Sequence, residues 1–341
     1  MKPVTSILSL LLILGTILTA CGGIDAAQSS VPDTEADAAQ SSVPDTEATE
    51  ATQMKDIYQT SDPSQDDTLN ILMIGNSACY YYVEELYGML EAAGIRANVC
   101  NVYYSGCSIQ QHWAWWKNGE SNYDYFVTNE NGRVKTECTN LEWCLQQQNW
   151  DVISLQEAST PYFASDPMAE MEVSKQWRTE LWDHIKEQFP MSRYLWHQTW
   201  ARQVGQGFYV MESAEKQQHI ADQKHNVDIA VCKEQNLERV CSGDAWQIVR
   251  NEHGYDKLCA RIGKGENHEG DNGHDGDWGG GQYLNACVWF EVVTGQSCIG
   301  NTYRPKYIAS GLDLSLSEDM IQMLQASAHK AVTQLKAESD K

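Results

Sequence analysis

The chain has no Cys-x-x-Cys pair, no cluster of lysine and arginine, no His-Glu-x-x-His helix and no EF-hand loop. With 24 basic residues against 47 acidic ones and a formal net charge of −23, it offers no electrostatic footprint for nucleic acid or anionic headgroups. The missing metal motifs remove the commonest zinc and calcium signatures, and no cofactor is implied. Long apolar runs are scarce as well. The one from Ile7 to Leu18 is too short for an ordinary membrane span.

That short run follows Met1-Lys2 and reads as an export signal. It ends in Leu18-Thr19-Ala20-Cys21-Gly22, which resembles the bacterial lipobox. The resemblance implies removal of residues 1–20, lipid on Cys21 and an extracytoplasmic protein anchored to the cell membrane; a plain secretory signal is the alternative. Residues 21–67 are rich in Ala, Ser, Thr, Asp, Glu, Gln and Pro, with an eleven-residue tandem copy at 26–36 and 38–48. Such a composition cannot bury a core. As a flexible coil it would span roughly 40 Å, enough to hold a domain clear of a membrane.

Residues 68–341 are then expected to form one domain around a single core. Ten cysteines are scattered through it. An exported protein can oxidise some, and Cys138 with Cys144 could close a short loop, but burial as free small hydrophobes is equally open. Apolar patterning predicts strands over Asn70–Ile74, Ile95–Tyr103, Asp151–Leu155, Arg193–Trp196 and Leu237–Cys241. Helices are predicted over Val83–Ala93, Pro167–Gln188, Phe208–Val231 and Gly281–Val293. This alternation specifies an α/β fold, a three-layer α/β/α sandwich with a central parallel sheet. Ligands gather at the carboxyl ends of such strands, on the rim that carries Ser77, Gly106, Gln156 and His197.

Ser77 sits just after a strand, on a Gly-containing turn at the mouth of a helix. Its backbone N–H and the helix dipole are available to a developing oxyanion, although an ordinary helix cap has the same sequence. A serine needs a base. The candidate is His274, in the Gly-rich stretch Glu266 to Gly281, with Asp271 three residues before it and able to orient the ring. His268, Glu269, Asp271, His274, Asp275 and Asp277 could alternatively hold a metal, or be a solvated acidic loop. His112 and His197 are further acid–base candidates on or near the rim. Trp113, Trp115, Trp116 and Trp200 could pack as core or wall, or stack on sugar rings.

The ordered set Ile74-Gly75-Asn76-Ser77, the Gly106 loop, a polar residue after the third strand and Asp271-x-x-His274 resembles the SGNH (GDSL-like) hydrolases. It is similar in particular to a bacterial lipoprotein branch built on a domain of unknown function. That branch is marked by the Gly-Asn-Ser turn, by Gly106-Cys107-Ser108 followed by His112, and by Trp150-Asp151-Val152-Ile153-Ser154-Leu155-Gln156. The likeness runs on through His197-Gln198-Thr199-Trp200 and Gly243-Asp244-Ala245-Trp246. It implies a flavodoxin-like fold with Ser77 as nucleophile, His274 as general base and Asp271 as its partner. Backbone N–H groups of Ser77 and Gly106 would form the oxyanion hole, with Gln156, where the wider family carries asparagine, either a third donor or a structural cap of its strand end. Asn76 stands where that family usually has aspartate and is expected to stabilise the turn beside the substrate pocket, which His112 and His197 could line unless they are satisfied structural groups. The implied activity is esterase chemistry without a metal, acting on a small acyl ester or an O-acylated glycan. A glycan-binding lipoprotein that has lost the chemistry is the alternative.

Overall fold

The computed structural model describes residues 67–205, 211–262 and 274–339. Cys21, the expected signal at 1–20 and the tether up to residue 66 lie outside the described residues.

The first apolar run forms strand β1 (Leu69–Gly75), whose residues alternate between two cores: Ile71 and Met73 to one face, Leu72 and Ile74 to the other. After it come helix α1 (Val83–Ala92), strand β2 (Ala97–Tyr103) and helix α2 (Ile109–Asn118). A hairpin of β3 (Tyr123–Asn129) and β4 (Gly132–Thr139) precedes β5 (Val152–Leu155). Helix α3 (Pro167–Gln188) starts where expected, because Asp166 accepts from the Ala169 N–H and Pro167 fills the first turn. Then follow β6 (Arg193–His197), α4 (Ala214–Gln235), β7 (Glu238–Val240), α5 (Ser242–His253), α6 (Gly281–Thr294) and α7 (Glu318–Ser339). The helix expected from Phe208 begins only at Ala214, behind a Ser213 cap.

The strand order is β4-β3-β2-β1-β5-β6-β7, with β2, β1, β5, β6 and β7 parallel. Helices α1, α5, α6 and α7 cover one face, and α2, α3 and α4 the other. The expected three-layer sandwich is therefore present, with one correction: the sheet is mixed, because β3 and β4 extend it antiparallel. Strand β4 is almost wholly exposed, so it carries no apolar run to betray it. The chain leaves β1 for β2 on one side and later returns to β5 on the other. This reversal opens a crevice at the carboxyl ends of β1 and β5, where Ser77 and Gln156 follow their strands.

The ten described cysteines are free thiols, nine of them buried. Cys144 Sγ donates to Thr139 Oγ1 at 3.2 Å while Cys138 is exposed, so the short-loop bridge is not formed. Three of the flagged tryptophans serve as packing. Trp200 stacks on Trp246 with ring centroids 4.6 Å apart, and the indole N–H groups of Trp113 and Trp116 donate to Glu180 and Glu142. Trp115 packs on the same core as Trp113 and Trp116 and lies edge-on to Tyr123 and to Tyr104, beside the Gly106 loop.

Candidate active site

Asn76 caps the single turn Ser77–Cys79, its Oδ1 accepting from the Ala78 N–H at 3.1 Å. The turn leaves Ser77 half-buried on the rim, and its Oγ lies 2.8 Å from His274 Nε2. That pair joins residues 197 positions apart. The loop bearing His274 reaches the rim because glycines let it lie against the segment 257–260. Gly276 N–H donates to the Leu258 carbonyl, and a Cβ at 276 would sit 2.1 Å from the Ala260 carbonyl oxygen. The Tyr81 ring lies 5.1 Å from the imidazole, with the Arg261 guanidinium 4.0 Å over that ring.

The second wall is the Gly106 loop. Gly106 takes a left-handed φ of +69°, and Ser108 closes a capping box with Gln111 to start α2. Asn76 ties this loop to the serine turn, its Nδ2 donating to the Cys107 carbonyl at 2.9 Å. Among the described residues, neither the Ser77 N–H nor the Gly106 N–H has an acceptor. The serine turn and the loop that Asn76 ties to it thus each carry an unclaimed backbone donor, beside a hydroxyl held by an imidazole; such donors can stabilise an oxyanion.

Gln156, buried at the end of β5, does not stand alone. Its Nε2 donates to Asn76 Oδ1 at 2.7 Å, and its Oε1 faces His197 Nδ1 at 3.2 Å. His197 Nε2 faces Ser242 Oγ at 3.1 Å. Ser242 arrives there because Gly243 packs on the Thr199 carbonyl, where a Cβ would be only 2.5 Å from the oxygen. All four side chains are buried.

Two expected pocket residues, His112 and His197, are therefore placed differently, while Asn76 holds the turn. His112 is fully buried, stacked on Tyr123 and bonded to its hydroxyl at 2.9 Å, and burial pushes its pKa down to about 3. His197 is enclosed by Tyr82, Trp200 and Trp289; burial, aided by the Lys224 charge, takes it down to about 3 as well. Both are neutral structural groups at working pH. Asn76 is 6 % exposed, and both polar atoms of its side chain are bonded to protein.

Asp271, the expected partner of His274, lies outside the described residues, as do His268 and Glu269 of the rival metal reading. Asp277, also part of that reading, accepts from the N–H groups of Ile262 and Trp278. Asp275 escaped notice as a single site. It is fully buried, accepts from Asn285 Nδ2 at 3.2 Å, and burial pushes its pKa up to about 8. Ser242 and Tyr81 were missed too. The signal for Ser242 was its place just ahead of Gly243, in a segment already picked out for its resemblance.

Residues 70–316 match the family model described as domain of unknown function DUF4886. A DUF4886 family protein from Bacteroides uniformis ATCC 8492 is similar in structure, with 25% identity and a TM-score of 0.65 over 78% of this chain and 95% of that one. The acetyl xylan esterase AlAXEase aligns at 12% identity and a TM-score of 0.41, covering 66% of this chain and all of that one. A GDSL-like lipase from Bacteroides thetaiotaomicron VPI-5482 aligns at 10% identity and 0.35, covering 72% and 96%. Among curated proteins, none matches.

Proposed function

The chain belongs to the DUF4886 family, and from that premise we propose that it is a serine esterase working through an acyl-enzyme, with Ser77 as nucleophile and His274 as general base. The observation that carries this reading is the 2.8 Å approach of Ser77 Oγ to His274 Nε2, on a turn whose own N–H is unclaimed. In the first half-reaction Ser77 Oγ bonds to the ester carbonyl carbon while its proton passes to His274 Nε2. The carbonyl electron pair moves onto oxygen, where the N–H groups of Ser77 and Gly106 receive it. Collapse breaks the bond to the leaving alcohol, which takes the proton from His274. Water then repeats the sequence on the acyl-serine. Asp271 is assigned to the imidazole's other nitrogen, holding the tautomer that leaves Nε2 bare.

The substrate proposed is a small acyl ester, acetyl above all, on carbohydrate outside the cell, with the enzyme held at the membrane by lipid on Cys21. A glycan-binding protein without chemistry would have no need of a serine and a histidine within hydrogen-bond reach, so hydrolysis is the better reading. Replacing Ser77 by alanine should abolish hydrolysis of an aryl acetate and labelling by a fluorophosphonate, with the thermal transition unchanged. Full activity in Ser77→Ala, or label mapped to another residue, would sink the proposal.

A further inference from the structure

Orientation along the buried chain from Asn76 to Ser242 is fixed by groups that cannot reverse. The Ala78 N–H can only donate and the Cys107 carbonyl can only accept, so Asn76 must present Oδ1 to the first and Nδ2 to the second. Its Oδ1 then requires a donor from Gln156, which turns the Gln156 amide so that Oε1 faces His197 Nδ1. An acceptor there demands that Nδ1 carry the proton. Nε2 is left bare, and Ser242 must donate its hydroxyl hydrogen to it. Each amide in the chain has one rotamer that satisfies its neighbours, and the backbone at the oxyanion site sets all of them.

We infer that His197 is a positioning residue: as the Nδ1–H tautomer it locks Gln156 with its NH2 end toward the serine turn, and through Asn76 it fixes the spacing of the Ser77 and Gly106 N–H groups. The inference rests on the assignment of Ser77 as nucleophile. It replaces the expected lining role of His197 with one exercised across three hydrogen bonds, and it gives the second Nε2 hydrogen of Gln156 a constant direction. Nothing else in the described residues accepts that hydrogen. Reversal of the Gln156 amide would put two oxygens, Oε1 and Asn76 Oδ1, face to face beside the site where negative charge develops.

The test has two arms on the full chain. In the first, 15N-histidine labelling reads the His197 ring, with His197→Asn as the assignment control. A protonated Nδ1 and a bare Nε2, unchanged on acidification to pH 5, is expected; a protonated Nε2 overturns the chain. In the second, His197→Leu and His197→Asn are compared on an aryl acetate. The asparagine amide can place an N–H near where Nδ1–H stood, so it should recover most of the kcat that leucine loses. That loss is expected at roughly 10²-fold, the scale of one oxyanion donor, with KM within about twofold. Equal losses in the two variants, or an effect confined to KM, would overturn the positioning role.

Should His197→Leu fail to fold, Gln156→Glu tests the same link. A carboxylate has no hydrogen for Asn76 Oδ1, whereas the carboxylic acid does, so the deficit of this variant relative to the parent should shrink as pH falls. A deficit independent of pH contradicts the proposal. A parent protein that neither hydrolyses the ester nor takes a fluorophosphonate overturns the nucleophile assignment, and the ring tautomer still decides the hydrogen-bond chain on its own.

Discussion

Trp196 and His197 are neighbours on β6, yet strand geometry sends them to opposite faces and into two unlike polar networks. On the face covered by α2, α3 and α4, the Trp196 N–H donates to Asp228, which also accepts from the Tyr162 hydroxyl at 2.6 Å. The Tyr162 ring in turn receives the Lys224 ammonium at 3.6 Å, and Lys224 donates to Thr199. On the other face, His197, Gln156, Asn76 and Ser242 form a chain of dipoles without a charge. Burial pushes Lys224 down and Asp228 up, and each is drawn back by the other's charge, so this network couples a lysine to a carboxyl. One network joins helix to sheet; the other sets orientation at the serine turn. The difference teaches that buried polarity here has two uses, and each should fail in its own way.

Breaking the charged network should have the largest effect on stability. Asp228→Ala removes the acceptor of Tyr162 and Trp196 and leaves Lys224 buried without its counter-charge. A loss of about 3–5 kcal/mol in unfolding free energy is expected from chemical denaturation. Adding Lys224→Met to that variant should recover part of the loss, because the uncompensated ammonium goes with it. A double variant as unstable as the sum of the two singles would show that the two charges do not depend on each other.

A carboxyl on the neutral face sharpens the comparison. Asp275 is pushed up to about 8 by burial, and Glu85, bonded to the Tyr307 hydroxyl, up to about 7. In the unfolded chain both ionise near 4, so between about pH 4 and 8 the folded state binds more protons and stability falls as pH rises. Asp275→Asn cannot ionise in either state. Its unfolding free energy should therefore fall less than the parent's across that window, by an amount on the order of a few kcal/mol at most. Parallel curves for the two proteins would mean that Asp275 is already ionised in the fold.

How much of this was legible beforehand depends on what each element shows in one dimension. Helix α3 announced both ends, with Asp166 and Pro167 at its start. Helix α5 did not: its cap position is Cys241, which makes no side-chain capping bond, so Ser242 carried no helix-start signature and was marked only by its place just ahead of the Gly243 segment. Strand β4 was silent because an exposed edge strand needs no apolar run. Ser77, Gly106 and His274 were legible as motifs around glycines that the backbone requires. The same pattern placed His112 and His197 near the rim and could not say which way they point. Direction is set by packing partners on other elements, Tyr123 on β3 for one and the distant Trp289 on α6 for the other.

The smallest effect belongs to the charged face where it meets water. Trp113 donates to Glu180, which also pairs with Lys117 at 2.7 Å, at the contact between α2 and α3. This is an exposed counterpart of the Lys224–Tyr162–Asp228 arrangement: again a lysine, a carboxyl group and an aromatic ring, but with Lys117 42% and Glu180 31% exposed at the side chain. Water screens such a pair, so its net worth is small however good the geometry. Trp113→Phe keeps the ring and removes only the N–H, and the thermal midpoint should move by no more than roughly 2–4 °C. As a wall residue of the α2–α3 contact, it should also leave kcat/KM on an O-acetylated oligosaccharide where it was. A raised KM for the oligosaccharide but not for an aryl acetate would instead make Trp113 part of a sugar-stacking surface that continues from Tyr104 and Trp115.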